Sequence, residues 1–218
     1  MSKRKAIIAA ATRHFSGQGF GDTSMSTLAR AAGVASSTIF HHFENKEDLF
    51  ITVLESAKEE ISRRFAVELD RRPCKDGLTL VGETISAYLH VAGVLEDEFR
   101  LLQRYYPYEL ARQNPRCRAL LEEIYTELLD RFEAGIIRGQ ADGSVRRVPS
   151  RNLALILFST VDGTVRYHTY QLYDAGALYH DLLRTCRQLL AADAVACAVA
   201  GAGACAGVHA EAGNGGTE

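Results

Sequence analysis

Apolar residues recur at three- and four-residue intervals along nearly the whole chain, and no stretch bounded by turn signals alternates at period two. This pattern requires helices that each bury one stripe, and it leaves no strand to organise a sheet. Ile7, Ala11 and Phe15 form the first stripe, and the glycine-rich segment 17–21 breaks it. Thr23 or Ser24 can cap a second helix with Leu28, Ala29 and Ala32 facing inward. Gly33 suits the left-handed exit from that helix. A third short helix runs over about 36–43 and turns Ile39 and Phe43 inward. Asn45 caps a fourth, where Asp48 at the third helical position complements the dipole; Pro73 ends it near Arg71.

Further helices are expected over 78–94 and 97–106, with Pro107 read as a breaker. Asn114-Pro115 is a cap followed by a first-turn proline, opening a helix to about Gln140 that Gly143 closes. Pro149 or Ser150 opens another, and the last spans 176–191. The expected fold is all-α with about nine helices. Beyond Asp193 the chain is rich in alanine and glycine and has no large apolar side chain. Such a tail, 193–218, buries too little to offset its ordering entropy and is expected to be disordered.

Composition removes several classes. The five cysteines, Cys74, Cys117, Cys186, Cys197 and Cys205, form no C-x-x-C pair, so reduced thiols are expected and no metal or cofactor. No apolar run approaches the roughly 20 residues of a membrane span. Arg13 and His14 cut the apolar run at the amino end too short for a signal peptide, so a cytoplasmic protein is expected. The chain carries no G-x-S-x-G, no glycine-rich phosphate loop and no H-E-x-x-H, and Glu122-Glu123 fall on an ordinary amphipathic helix, so an enzyme is not expected. Net charge is −2, but residues 1–50 hold six basic and four acidic groups, a mildly basic head on an acidic body.

The informative segment is 19–50. Two short helices joined by a tight glycine turn are the core of a helix-turn-helix. Ala29 permits close approach where the helices cross, Gly33 makes the turn, and Val34, Ile39 and Phe43 lock the second helix. Ser36, Ser37, Phe40 and His41 are left on an outward face, on a helix whose diameter fits the major groove. The adjacent histidines 41 and 42 point in different directions on a helix, which argues against a metal pair.

These residues resemble the tetracycline-repressor (TetR) family pattern: Gly19-Phe20, Thr23, Leu28-Ala29, Ala32-Gly33-Val34, Thr38-Ile39-Phe40, and Phe43 followed by Lys46-Glu47 and Leu49. The match covers about the first quarter of the chain without a gap. The resemblance implies a DNA-binding domain over 1–47, a ligand-binding and dimerisation bundle over 48–192, and a dimer that reads a palindromic double-stranded operator. By position it places Ser26, Ser36, Ser37 and His41 at base edges. Phe40 stands where the family usually has a tyrosine, and Thr38, His42 and Lys46 fall at backbone-contact positions. Lys3, Arg4 and Lys5 can reach adjacent phosphates. Ala35 departs from the serine common before the recognition helix, which leaves Ser36 to cap it. The plainer alternatives are helix-start chemistry for Ser36 and Ser37, a packed aromatic for Phe40, and a solvated chain end for residues 3–5.

In the body, the resemblance implies a small-molecule effector of amphipathic or aromatic character. The candidate lining is Phe99, Leu102, Tyr105, Tyr106, Tyr125, Phe132, Phe158 and His168, with core packing as the alternative for each. The expected homodimer seam is Leu153, Leu157, Val161, Val165, Leu178, Leu182 and Leu189, with internal core as its alternative. A structural DNA binder without an effector is the rival reading, opposed by the large aromatic-rich body.

Overall fold

The computed structural model describes residues 2–174 and 176–192. The expected tail, 193–218, lies outside the described residues. Ten helices follow in order among those described: α1 Lys3–Gly17, α2 Met25–Ala31, α3 Ser36–His42, α4 Lys46–Asp70, α5 Gly77–Val94, α6 Glu96–Leu102, α7 Tyr105–Ala111, α8 Pro115–Asp142, α9 Ser150–Thr169 and α10 Tyr179–Leu190. The all-α expectation holds. Val145 and Ala191 make an isolated bridge, not a strand. Among the described residues no single helix is long and apolar enough to cross a membrane.

Most helix ends follow the sequence signals. Ser24, Asn45 and Asp76 each accept a backbone N–H from the residue three positions on, and Asn114 accepts from Arg116 and Cys117. Gly143 ends α8 at φ 82°. The tenth helix comes from Pro107. Instead of stopping a helix, this proline sits in the first turn of α7, where its missing N–H would have had no partner anyway.

One apolar cluster runs from Ile7 to Leu190 and joins the three N-terminal helices to the body. α4 is unbroken across positions 47 and 48, so the expected domain boundary falls inside a helix. Glycine governs the crossing of α5 and α8. A Cβ on Gly77 would lie 2.0 Å from the backbone nitrogen of Gly139, and one on Gly135 would lie 2.8 Å from Val81. The Gly77 N–H also donates to Asp142 at 2.7 Å.

The expected seam needs correction. Leu153, Leu157, Val161 and Val165 of α9 are all at most 5% exposed and pack inside their own subunit. The outward stripe of the same helix is Leu155, Ile156, Ser159, Thr160 and Tyr167. Leu178 and Leu189 are exposed, whereas Leu182 packs partly against the core. α9 carries large apolar side chains on both sides, and periodicity alone does not say which side meets its own bundle.

Gly77→Ala is expected to force α5 and α8 apart and to destabilise the fold by about 1–3 kcal/mol, read as a lower urea midpoint. Gly93→Ala is the control. A Cβ there meets nothing within 4 Å, and the change is expected to stabilise by about 0.5–1 kcal/mol.

Candidate functional site

The head is built by α1, α2 and α3. Leu28, Ala29 and Ile39 are buried to within 1%, and Phe43 closes the underside. Gly33 adopts φ 67°, and the N–H groups of Gly33 and Val34 donate back to Arg30 and Ala29, fixing the turn. The outward face of α3 carries Ser36, Ser37, Phe40 and His41, all exposed, with Phe40 at 57%. Thr38 and His42 are half-buried at its flanks, and Ser26 is exposed on α2. The Ser26 hydroxyl shares a 2.9 Å hydrogen bond with the capping hydroxyl of Ser24. Lys3, Arg4 and Lys5 are exposed, and the Arg4 guanidinium lies 5.5 Å from the Phe43 ring centroid, so the basic end of α1 borders the end of α3.

Two expectations change. The cap of α3 is Ala35, which has extended backbone and no side-chain bond, while Ser36 is already helical and does not cap. The Ser36 and Ser37 hydroxyls make no hydrogen bond among the described residues. Lys46 is half-buried, and its ammonium donates to the carbonyls of Phe20 at 2.8 Å and Thr23 at 3.0 Å. It also lies 4.1 Å from the Phe20 ring centroid. Two of its three donors thus tie α4 to the loop that leads into α2.

That loop is the joint between head and body. Phe20 stacks on Tyr106 of α7 with centroids 3.7 Å apart and an interplanar angle of 9°. Phe50 meets both rings edge-on. Arg104 donates from Nε to the Ser16 carbonyl at 2.9 Å and also bonds the Gly17 carbonyl, so it caps the last turn of α1. Ser16 donates its hydroxyl to Asp97 of α6 at 2.7 Å. Burial, with Glu47 nearby, pushes the Tyr106 phenol far above its ordinary pKa, so it stays neutral.

The eight expected effector residues divide among several places. Phe99, Leu102, Phe132 and Phe158 are buried, and Tyr88 packs edge-on against the three phenylalanines. The Tyr88 hydroxyl donates to Asp162 at 2.7 Å. Tyr125 pairs its hydroxyl with Tyr108 beside an outer groove. Tyr105, 70% exposed, and Tyr106 line a cleft between head and body. His168 lines a cavity of about 440 Å³ bounded by α5, α6, α9 and the connection to α10. Sequence reasoning missed the other residues of that cavity: Arg100 read as an ordinary charged position on the 97–106 helix, and Glu96, Tyr173 and Asp174 as positions near helix ends. Among the described residues no cluster of three or more His, Cys, Asp or Glu side chains is placed to hold a metal.

Residues 7–53 match the model of the bacterial regulatory proteins, tetR family. The chain is 27% identical over 185 residues to the fatty acid metabolism regulator protein of Bacillus subtilis, covering 83% of this chain and 92% of that one. Two solved structures share the fold. One is a transcriptional regulator from Saccharomonospora viridis in complex with choline, at TM-score 0.77 and 20% identity, covering 87% of this chain and 98% of that chain. The other is the transcriptional regulator FadR from Bacillus subtilis in complex with stearoyl-CoA, at TM-score 0.67 and 23% identity, covering 83% and 95%.

Lys46→Ala removes both carbonyl contacts of the clamp. It is expected to cost about 1–3 kcal/mol in urea unfolding while leaving far-UV helicity unchanged. An unaltered urea midpoint would mean that the clamp adds nothing to stability.

Proposed function

We propose that this chain is a regulator of the tetR type, whose family model its residues 7–53 match, and that it acts as a homodimeric, effector-released repressor that holds a palindromic operator through α3 of each subunit. The observation that carries this reading is the exposed polar face of α3 on a head whose underside is fully packed. Ser26, Ser36, Ser37 and His41 supply hydrogen-bonding groups for base edges. Phe40 offers apolar contact to a thymine methyl. Thr38 and His42 sit at the flanks, where phosphates pass, and Lys46 keeps one donor for the same role. Lys3, Arg4 and Lys5 extend the positive border along the backbone. The head ends near position 47, the body fills 48–192, and the protein works in the cytoplasm.

Dimerisation sets the spacing of two α3 helices about 34 Å apart, or a multiple of that. The outward side of α9, with Leu155 at 46% and Ile156 at 56% exposure, supplies apolar groups for a four-helix seam, together with Leu178 at the cap of α10 and Leu189 within it. The effector acts by population shift: it binds one arrangement of the body more tightly, and operator affinity falls by that differential free energy. The contacts of Asp97, Arg104 and Tyr106 with Ser16, Gly17 and Phe20 tie α6, α7 and the turn between them to the end of α1 and the loop before α2, and through them to the packed head that carries α3. One neighbour of the same fold is in complex with choline and another with stearoyl-CoA, so the fold alone does not choose the effector. The matched relatives are transcriptional regulators, and no step proposed here is catalytic.

Selection from random duplexes is expected to yield a palindrome. Substituting Ser37 or His41 by Ala is expected to change base preference at single positions by about 1–3 kcal/mol. Replacing Lys3, Arg4 and Lys5 by Gln is expected to weaken all sequences alike and to flatten the salt dependence by about one unit per lost phosphate contact. If the two classes of variant behave identically, the division of roles fails. Ile156→Arg is expected to shift light scattering from dimer to monomer and to abolish tight operator binding. A variant that stays dimeric would place the seam elsewhere.

A further inference from the structure

The cavity beside His168 has a chemical character that the aromatic core of the body lacks. Its floor is apolar, made by Leu89, Ala92 and Gly93 of α5 with Val165 of α9. Thr164 and Thr169 spend their hydroxyls on carbonyls of their own helix. Aromatic rings border it: Tyr179 is pinned through its hydroxyl to Ser86 at 2.9 Å, and Tyr173 is braced edge-on by Tyr167 at 5.5 Å. Two carboxylates, Glu96 and Asp174, line the same space. Beside His168, which is counted as neutral at pH 7, Arg100 is the cationic side chain of the lining, and its guanidinium lies 3.9 Å from Glu96 and 3.9 Å from Asp97, a residue outside the lining. Asp97 therefore balances much of the arginine charge, and the lining keeps a net negative balance. An anionic ligand would face two carboxylates. A cation would meet carboxylates and aromatic side chains in the same space.

We infer that this cavity is a binding site for a small organic cation, a quaternary ammonium or protonated amine carrying an apolar group. At about 440 Å³ it lies in the lower part of the 300–1,000 Å³ range of small-molecule pockets. Its place in the fold gives the occupant something to act on. Glu96 and Arg100 lie on α6, the helix whose Asp97 holds Ser16 of the head. His168 and Val165 lie on α9, the helix whose outward side carries Leu155 and Ile156. The inference rests on the proposed repressor only in naming this occupant as its effector.

The test is calorimetric titration of the full chain with benzyltrimethylammonium, and with phenylacetate as an anionic counterpart. Benzyltrimethylammonium is expected to bind once per chain with a dissociation constant below about 1 mM, and phenylacetate at least about tenfold more weakly. Gly93→Leu projects a side chain into the space, since a Cβ there meets nothing within 4 Å. It is expected to cut cation binding at least about tenfold with helicity retained. Glu96→Gln, on the rim, is expected to weaken the cation while leaving the fold intact. Equal or tighter phenylacetate binding, no cation binding, or unchanged cation binding in both variants overturns the inference. If the cation binds as described but operator affinity does not move, the site stands and its role as effector site falls. If the cation fails while another compound releases the operator, the site falls and the repressor stands.

Discussion

The Phe20 ring holds the two parts of this protein in register. Tyr106 covers one face of the ring, leaving the other to the Lys46 ammonium. The same ammonium closes the loop by bonding the Phe20 and Thr23 carbonyls. One side chain of the head is therefore gripped by α7 and by α4 at once. The grip is stronger than a surface contact because the rings around it, Phe15 and Phe50, are buried and the charge is partly desolvated. Arg104 and Asp97 add polar contacts a few residues away, so the orientation of the head is set by α6 and α7 together.

The body must be stiff for such a joint to matter. Its stiffness comes from the α5–α8 crossing, where Gly77, Gly135 and Gly139 let backbone meet backbone or side chain. Arg116, at the start of α8, reaches Glu55 at 2.8 Å and Asp48 at 3.6 Å on α4. These ion pairs are exposed and add little free energy, but they fix where the start of α8 meets the start of α4.

Much of this was legible in the residues. Ser24, Asn45, Asn114 and Gly143 announced helix ends because capping is local chemistry that needs no knowledge of the fold. The helix-turn-helix was legible for the same reason. What was not legible is long-range. Pro107 breaks a helix or starts one depending on where the preceding chain turns. Large apolar residues stand on both sides of α9, and only the packed bundle decides which side is covered. Size and polarity mark the aromatics of the body as effector groups, yet Phe99, Phe132 and Phe158 pack around Tyr88, leaving the open space to α6 and the connection before α10. Lys46 was readable as a cation but not as one already engaged.

The continuity of α4 through the boundary between head and body has a further consequence. Its 25 residues, at 1.5 Å each, make a rod of about 37 Å. With no hinge along that length, a tilt of about 5° at the far end moves the near end by about 3 Å. That is close to the 3.4 Å step between stacked base pairs. A slight change of angle deep in the bundle is thus enough to displace the head by about the rise of one base pair, with no helix having to melt.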